Sequence, residues 1–194
     1  MGNLNELLNH LEKTLYDKRA SLIKFLQKGL ADSTIVDTLS QLGIKNDQLR
    51  ILYSWRNGVS FNDDWTAGQI DFFSFGTMLA LEDAVIHHQS LVRRANVNES
   101  FLPIFTTGAG DYVLFNTDNK SINFESLFLY SPSILMSPNC SKIYDTLESF
   151  IETVIECYNS SAYKIKKGIL EIDYDLEEQI ASTKNPASPC WHKL

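Results

Sequence analysis

Between Phe101 and Ser131 the runs FLPIF, DYVLFN and SLFLYS, rich in aromatic and branched aliphatic residues, are separated by turn-forming residues. Three such runs in quick succession predict an antiparallel meander. Helical patterns stand on both sides of it. Leu4, Leu7, Leu8, Leu11 and Leu15 recur at helical spacing, with Leu22, Phe25 and Leu26 extending the helical character until Gly29 breaks it. DSTIVDTLSQLG predicts a short helix capped at Asp32 or Ser33, burying Ile35, Val36, Leu39 and Leu42 and stopping at Gly43. NDQLRILYSWRNG repeats the pattern from Asn46 or Asp47, with Leu49, Leu52 and Tyr53 on one face and Gly58 as a left-handed stop. QIDFFSFG reads as a strand, and LEDAVIHHQSLVRRAN as a helix with acids first and Arg93 and Arg94 last, as the helix dipole favours. A helix from about Asp145 to Tyr158, a strand or hairpin around Lys167-Gly168, a final helix and an exposed tail, NPASPCWHKL, complete the chain.

Helices, then a compact antiparallel sheet, then helices again define an α+β fold with a central, mostly antiparallel sheet flanked by helices. At 194 residues the chain suits one domain, 1–194, in which 1–45 form N-terminal helices, 46–160 the core and 161–194 a strand and helix extension.

The loop that opens FTTGAGDYVLFNTD carries the main functional question. A phosphate cradle needs backbone N–H groups at a helix N-terminus, usually with a lysine or hydroxyl at fixed spacing. Here Gly108 and Gly110 are followed by the anion Asp111 and then by strand-forming YVLFN, so the segment reads as a turn between strands. His87 and His88 follow Glu82 and Asp83, but no HExxH motif accompanies them, and polar side chains on a helix surface are the expectation. There is no GxSxG elbow, and the carboxylate pairs Asp63-Asp64 and Glu177-Glu178 read as solvated charges. Cys140, Cys157 and Cys190 are too widely spaced for a disulfide framework or a paired zinc motif, so reduced structural thiols are expected. No metal and no cofactor is expected.

Lys and Arg total 17 against 24 Asp and Glu, a net charge of −7 that disfavours nucleic acid and suits a basic partner. No segment reaches the roughly 18 apolar residues of a membrane helix, and MGNLNELLNHLEK lacks the features of a signal peptide, so the cytoplasm is the expected location. Candidate partner-binding residues are Asp63, Asp64 and Asp71 in the middle region and Glu171, Asp173 and Asp175 in the tail, with Trp65 first and Trp191 second as aromatic anchors.

LRILYSWRNG, IDFFSFG leading into LEDAV, FLPIFTTGAGDYVLFNTD and YDTLESFIETVIECY, taken in this order, resemble the SUKH superfamily in its Smi/Knr-like branch, over roughly Asp47 to Tyr158. The resemblance implies a mixed α+β fold whose central hairpin starts at Pro103, Ile104, Gly110 and Asp111. It also implies a largely non-enzymatic role, in many members as bacterial immunity proteins that neutralise cognate toxins, often nucleases. The long disordered flanks of the larger fungal members are missing, which favours immunity over the alternative of a general interaction or regulatory module. Family interfaces diverge with their toxins, so the resemblance assigns no contact residue. An unrecognised hydrolase is the third reading, because the lack of a motif does not exclude chemistry.

Overall fold

The computed structural model describes residues 3–60, 65–66, 68–135 and 139–192. Asn3 caps helix α1 (Leu4–Asp17) by accepting the Asn5 N–H, and the helix buries Leu4, Leu8, Leu11 and Leu15 as one stripe. Helical character does not carry through Leu26: a 3-10 turn, Ser21–Lys24, gives way to strand β1 (Leu26–Lys28). Helices α2 (Asp32–Ser40) and α3 (Asp47–Trp55) follow, and Asn46 caps α3 by accepting the Leu49 N–H at 3.0 Å. Ile35 and Leu39 are buried in α2, whereas Val36, expected inside, is 39% exposed.

The helix stop expected at Gly58 is wrong in its position. α3 ends at Trp55, and Arg56 is already extended because strand β2 (Arg56–Val59) pairs antiparallel with β1. Gly58 does hold φ +64°, but inside a strand, where a Cβ would lie 2.3 Å from the Leu79 carbonyl carbon. Close backbone approach, with the left-handed φ, is what requires glycine there.

QIDFFSFG is likewise not a strand. Its one ladder contact is an isolated bridge between Phe73 and Gly76, closed by Phe72 N–H donating to Gly76 O at 2.9 Å and Gly76 N–H to Phe73 O at 3.1 Å. A strand would send Phe72 and Phe73 to opposite faces, whereas the turn buries both in one cluster.

The expected meander is present as β4 (Phe101–Thr106), β5 (Tyr112–Asn116) and β6 (Leu127–Tyr130). Two strands that the sequence did not announce widen it: β3 (Thr77–Met78) and β7 (Ser141–Tyr144) give five antiparallel strands in the order β3-β4-β5-β6-β7. Register sets the faces. Val113 opposite Leu129 and Phe115 opposite Leu127 join the main cluster, while Leu114 and Tyr130 turn to a smaller one with Leu91 and Val97. Helix α4 (Leu81–Ala95) links β3 to β4 with its acids and arginines placed as expected. Helix α5 (Leu147–Asn159), begun by a capping box of Thr146 and Ser149, packs against α1.

After α5 come the predicted hairpin, β8 (Tyr163–Lys166) and β9 (Ile169–Ile172), and then helix α6 (Tyr174–Lys184). The tail is not exposed as expected: a 3-10 turn, Pro189–His192, packs on β7 and brings Trp191 into the main cluster. That cluster runs from Leu4 to Trp191. No helix among the described residues is long and apolar enough to cross a membrane.

Candidate interaction surface

The glycine segment joins two antiparallel strands and opens no helix. Asp111 serves the turn: its carboxylate accepts from Ser131 Oγ at 2.5 Å and Thr107 Oγ1 at 3.1 Å, and its carbonyl accepts the Thr107 N–H. His87 Nδ1 pairs with the Tyr112 hydroxyl at 3.0 Å, and His88 Nε2 with the Glu99 carbonyl at 2.8 Å. Among the described residues no cluster of three His, Cys, Asp or Glu side chains is placed to hold a metal. No disulfide joins Cys140, Cys157 and Cys190; burial pushes Cys140 up to about 11 and, with Glu177 adding to the effect, Cys157 up to about 12, so both stay protonated and weakly nucleophilic near neutrality.

The two candidate acidic regions, remote in sequence, are brought together. Leu170 N–H donates to Gly68 O at 3.0 Å, which lays β9 along the segment that carries Trp65 and Asp71. Trp65 is half-buried against the main cluster, and its indole N–H donates to the Ser60 carbonyl at 3.2 Å. Asp71 is half-buried too, and desolvation raises its carboxyl above the usual range. Asp63 and Asp64 lie outside the described residues.

The tail carboxylates do not make a uniformly acidic face. Glu171 stands opposite Lys164 in register and is ion-paired with Lys166. Asp173 caps α6, accepting the Leu176 N–H at 3.1 Å, and Asp175 lies in that helix's first turn, where the dipole favours it. Lys164, Lys166 and Lys167 match these three acids in number, so the face carries mixed charge. Trp191 requires correction as an exposed anchor. It is 7% exposed, its indole N–H donates to the Ile143 carbonyl at 2.6 Å, and its ring lies 5.8 Å from Tyr144 and 6.3 Å from Phe75, centroid to centroid.

Glu177, expected as a solvated charge, is buried. It is 1% exposed, accepting from Ser74 Oγ at 2.6 Å and Tyr163 Oη at 2.5 Å, and burial raises its carboxyl despite both donors. It stands one helical turn before Ala181, on the face of α6 that is buried. Two clefts lie elsewhere on the described surface. One, of about 500 Å³, is apolar and walled by Phe75, Leu129, Leu135, Ile143 and Trp191. The other, of about 900 Å³, is polar and lies between 41–45, 98–100 and 117–120, with the buried His88 among its lining residues.

The structure thus defines an α+β protein with a five-stranded antiparallel sheet flanked by helices. No model of a known protein family matches the chain, and no curated protein matches it.

Proposed function

We propose that the chain is a non-enzymatic immunity protein of the SUKH, Smi/Knr-like type that binds and neutralises a cognate toxin, in the bacterial cytoplasm. The observation that carries this reading is the meeting of the four resembling segments in one aromatic core. Trp55 of the first lies 6.2 Å from Phe72 of the second, centroid to centroid. Phe72 and Phe73 lie 5.7 and 5.1 Å from Phe105 of the third, and Phe73 and Phe105 lie 4.8 and 5.0 Å from Phe150 of the fourth. Motifs that follow one another in order and build one core behave as a single scaffold. A binding role is further supported by the engagement of His87, Asp111 and Glu177 in bonds that hold the scaffold together.

The partner is a basic protein, met on the face where the segment bearing Trp65 and Asp71 adjoins Glu171, Asp173 and Asp175. Interspersed lysines confine electrostatic steering to part of this face, and Trp65 supplies the apolar contact. The test is co-expression with the product of the neighbouring reading frame. Relief of that product's toxicity and a stoichiometric complex, with association slowed by salt, are expected. Unrelieved toxicity with no complex by gel filtration sinks the proposal.

A further inference from the structure

KTLYDKRASLIKFLQK, residues 13–28, carries Lys13, Lys18, Arg19, Lys24 and Lys28 against the single acid Asp17, in a chain whose net charge is −7. YKIKKG, residues 163–168, has three lysines and no acid. The fold brings the two stretches together. A Cβ added to Gly168, in the tip of the β8-β9 hairpin, would stand 2.6 Å from Ser21 Oγ. Ser21 opens the 3-10 turn Ser21–Lys24, in which side chains three apart are eclipsed, so Lys24 stands on the side that meets the hairpin. Lys18 and Arg19 lie just before it, at the end of α1. The ion pairs among the described residues engage other cations, Arg50, Arg56, Lys142, Lys166 and Lys184, and leave Lys18, Arg19, Lys24 and Lys167 without an acid.

Backbone conformation singles out two of these cations. Arg19 holds φ +57° directly after the C-cap of α1, and Lys167 holds φ +52° beside Gly168 at φ +82° in a two-residue hairpin turn. Glycine or asparagine fills such positions with less strain, so turn geometry alone favours neither arginine nor lysine there. Exposed apolar side chains stand beside them: Tyr16, 59% exposed, whose carbonyl accepts the Arg19 N–H at 3.0 Å, and Ile169, 40% exposed, next to Gly168.

We propose that the end of α1, the Ser21–Lys24 turn and the tip of the β8-β9 hairpin form a peripheral docking surface for an anionic lipid bilayer. A cluster of four unpaired cations suits a plane of negative headgroups, and lysine, a point charge, demands no fixed geometry from them. Tyr16 and Ile169 decide between polyanions. An aromatic ring also stacks on nucleic-acid bases, but an aliphatic side chain among the cations finds no match on a phosphate backbone, whereas the boundary between headgroups and acyl chains accepts both. The acidic remainder of the chain then points away, its repulsion by the bilayer screened beyond about 8 Å at physiological salt. Such docking is independent of any toxin.

The test is co-sedimentation of the full chain with vesicles of phosphatidylcholine, with or without an equal part of phosphatidylglycerol. The parent should sediment with the anionic vesicles only, and less as salt rises. Arg19→Gly with Lys167→Asn removes two cations while giving each turn a residue it favours, so the fold is kept and partitioning should fall about 25-fold, roughly fivefold per charge. Tyr16→Ser should lower it less, by a factor that salt does not change, because the contact it removes is apolar. Equal sedimentation with neutral vesicles, none with either, or a double variant that binds like the parent overturns the proposal. Displacement from the vesicles by a single-stranded oligonucleotide that binds the chain more tightly also overturns it and makes the patch a nucleic-acid surface. Should the double variant lose the native circular dichroism, Lys24→Gln, at an exposed position, decides instead, with about a fivefold fall expected.

Discussion

In the meander β4-β5-β6 each strand pairs with its neighbour in sequence, and Ile104, Val113, Phe115, Leu127 and Leu129 fill one face with apolar side chains exposed by 2% or less. The chain after α5 is fastened differently, by polar side chains that reach far in sequence. Glu177 bonds to Ser74, 103 residues away, and Asn185 takes Ser149 Oγ at 2.7 Å while donating to Thr153 Oγ1 at 3.1 Å. Apolar packing is non-directional and shared over many contacts, so the first region should tolerate the loss of a hydrogen bond but not of a ring. The second, held by a few directional bonds between buried groups, should be loosened by a single atom change.

Phe150→Ala gives the largest effect, because its ring lies within 5.0 Å of Phe73, Phe105 and Tyr144, centroid to centroid. A loss of about 3–5 kcal/mol in urea unfolding is expected, and the meander and the extension should unfold together. Gly58→Val follows, at roughly 3 kcal/mol, combining the left-handed φ with the overlap against Leu79. Thermal unfolding equal to the parent would show that the β2 approach is not tight. Asn185→Ala should cost about 2 kcal/mol by orphaning buried partners. It sharpens the comparison if hydrogen exchange rises in α6 and 185–191 while β4 and β5 keep their protection; uniform acceleration breaks it.

Glu177 gives a pH test. Its folded-state value is raised above the ordinary 4.5, mainly by burial, so the stability it contributes is complete below 4.5 and lost as pH rises through the folded value. Relative to Glu177→Gln, the parent should therefore weaken in urea from acid toward the raised folded value. A gap between the two that does not change with pH assigns the titration elsewhere. The smallest effect is expected from Glu171→Ala, under about 1 kcal/mol, since its ion pair with Lys166 is solvent-exposed on both sides.

The features that were legible in the chain are those set within a few residues. The cap at Asn46, the leucine stripe of α1, the charge order of α4, the meander and the Lys167-Gly168 turn follow from backbone sterics and side-chain period, which need no distant partner. The aromatic run at Phe72-Phe73 misled because β propensity measures fit to a half-buried surface, and a turn facing the core offers such a surface as well. Gly58 was read correctly in φ and wrongly in cause, since a left-handed φ is local whereas the approach of Leu79 is not.

Of the candidate surface, the sequence offered the acids and Trp65 as partner-binding residues, but not the cap that Asp173 makes on α6, the packing of Trp65 on the main cluster, or the assembly of the face. The local hairpin mixes the lysines of β8 among the tail acids, but only tertiary contact lays β9 along Gly68. The same holds for Glu177, Trp191 and β7. A glutamate beside another glutamate is solvated unless a tyrosine and a serine from elsewhere close over it, and a tryptophan between polar residues is exposed unless a carbonyl waits for its N–H. Local sequence selects which conformations are cheap, but whether a polar group is buried depends on partners that only the folded chain brings within hydrogen-bonding distance.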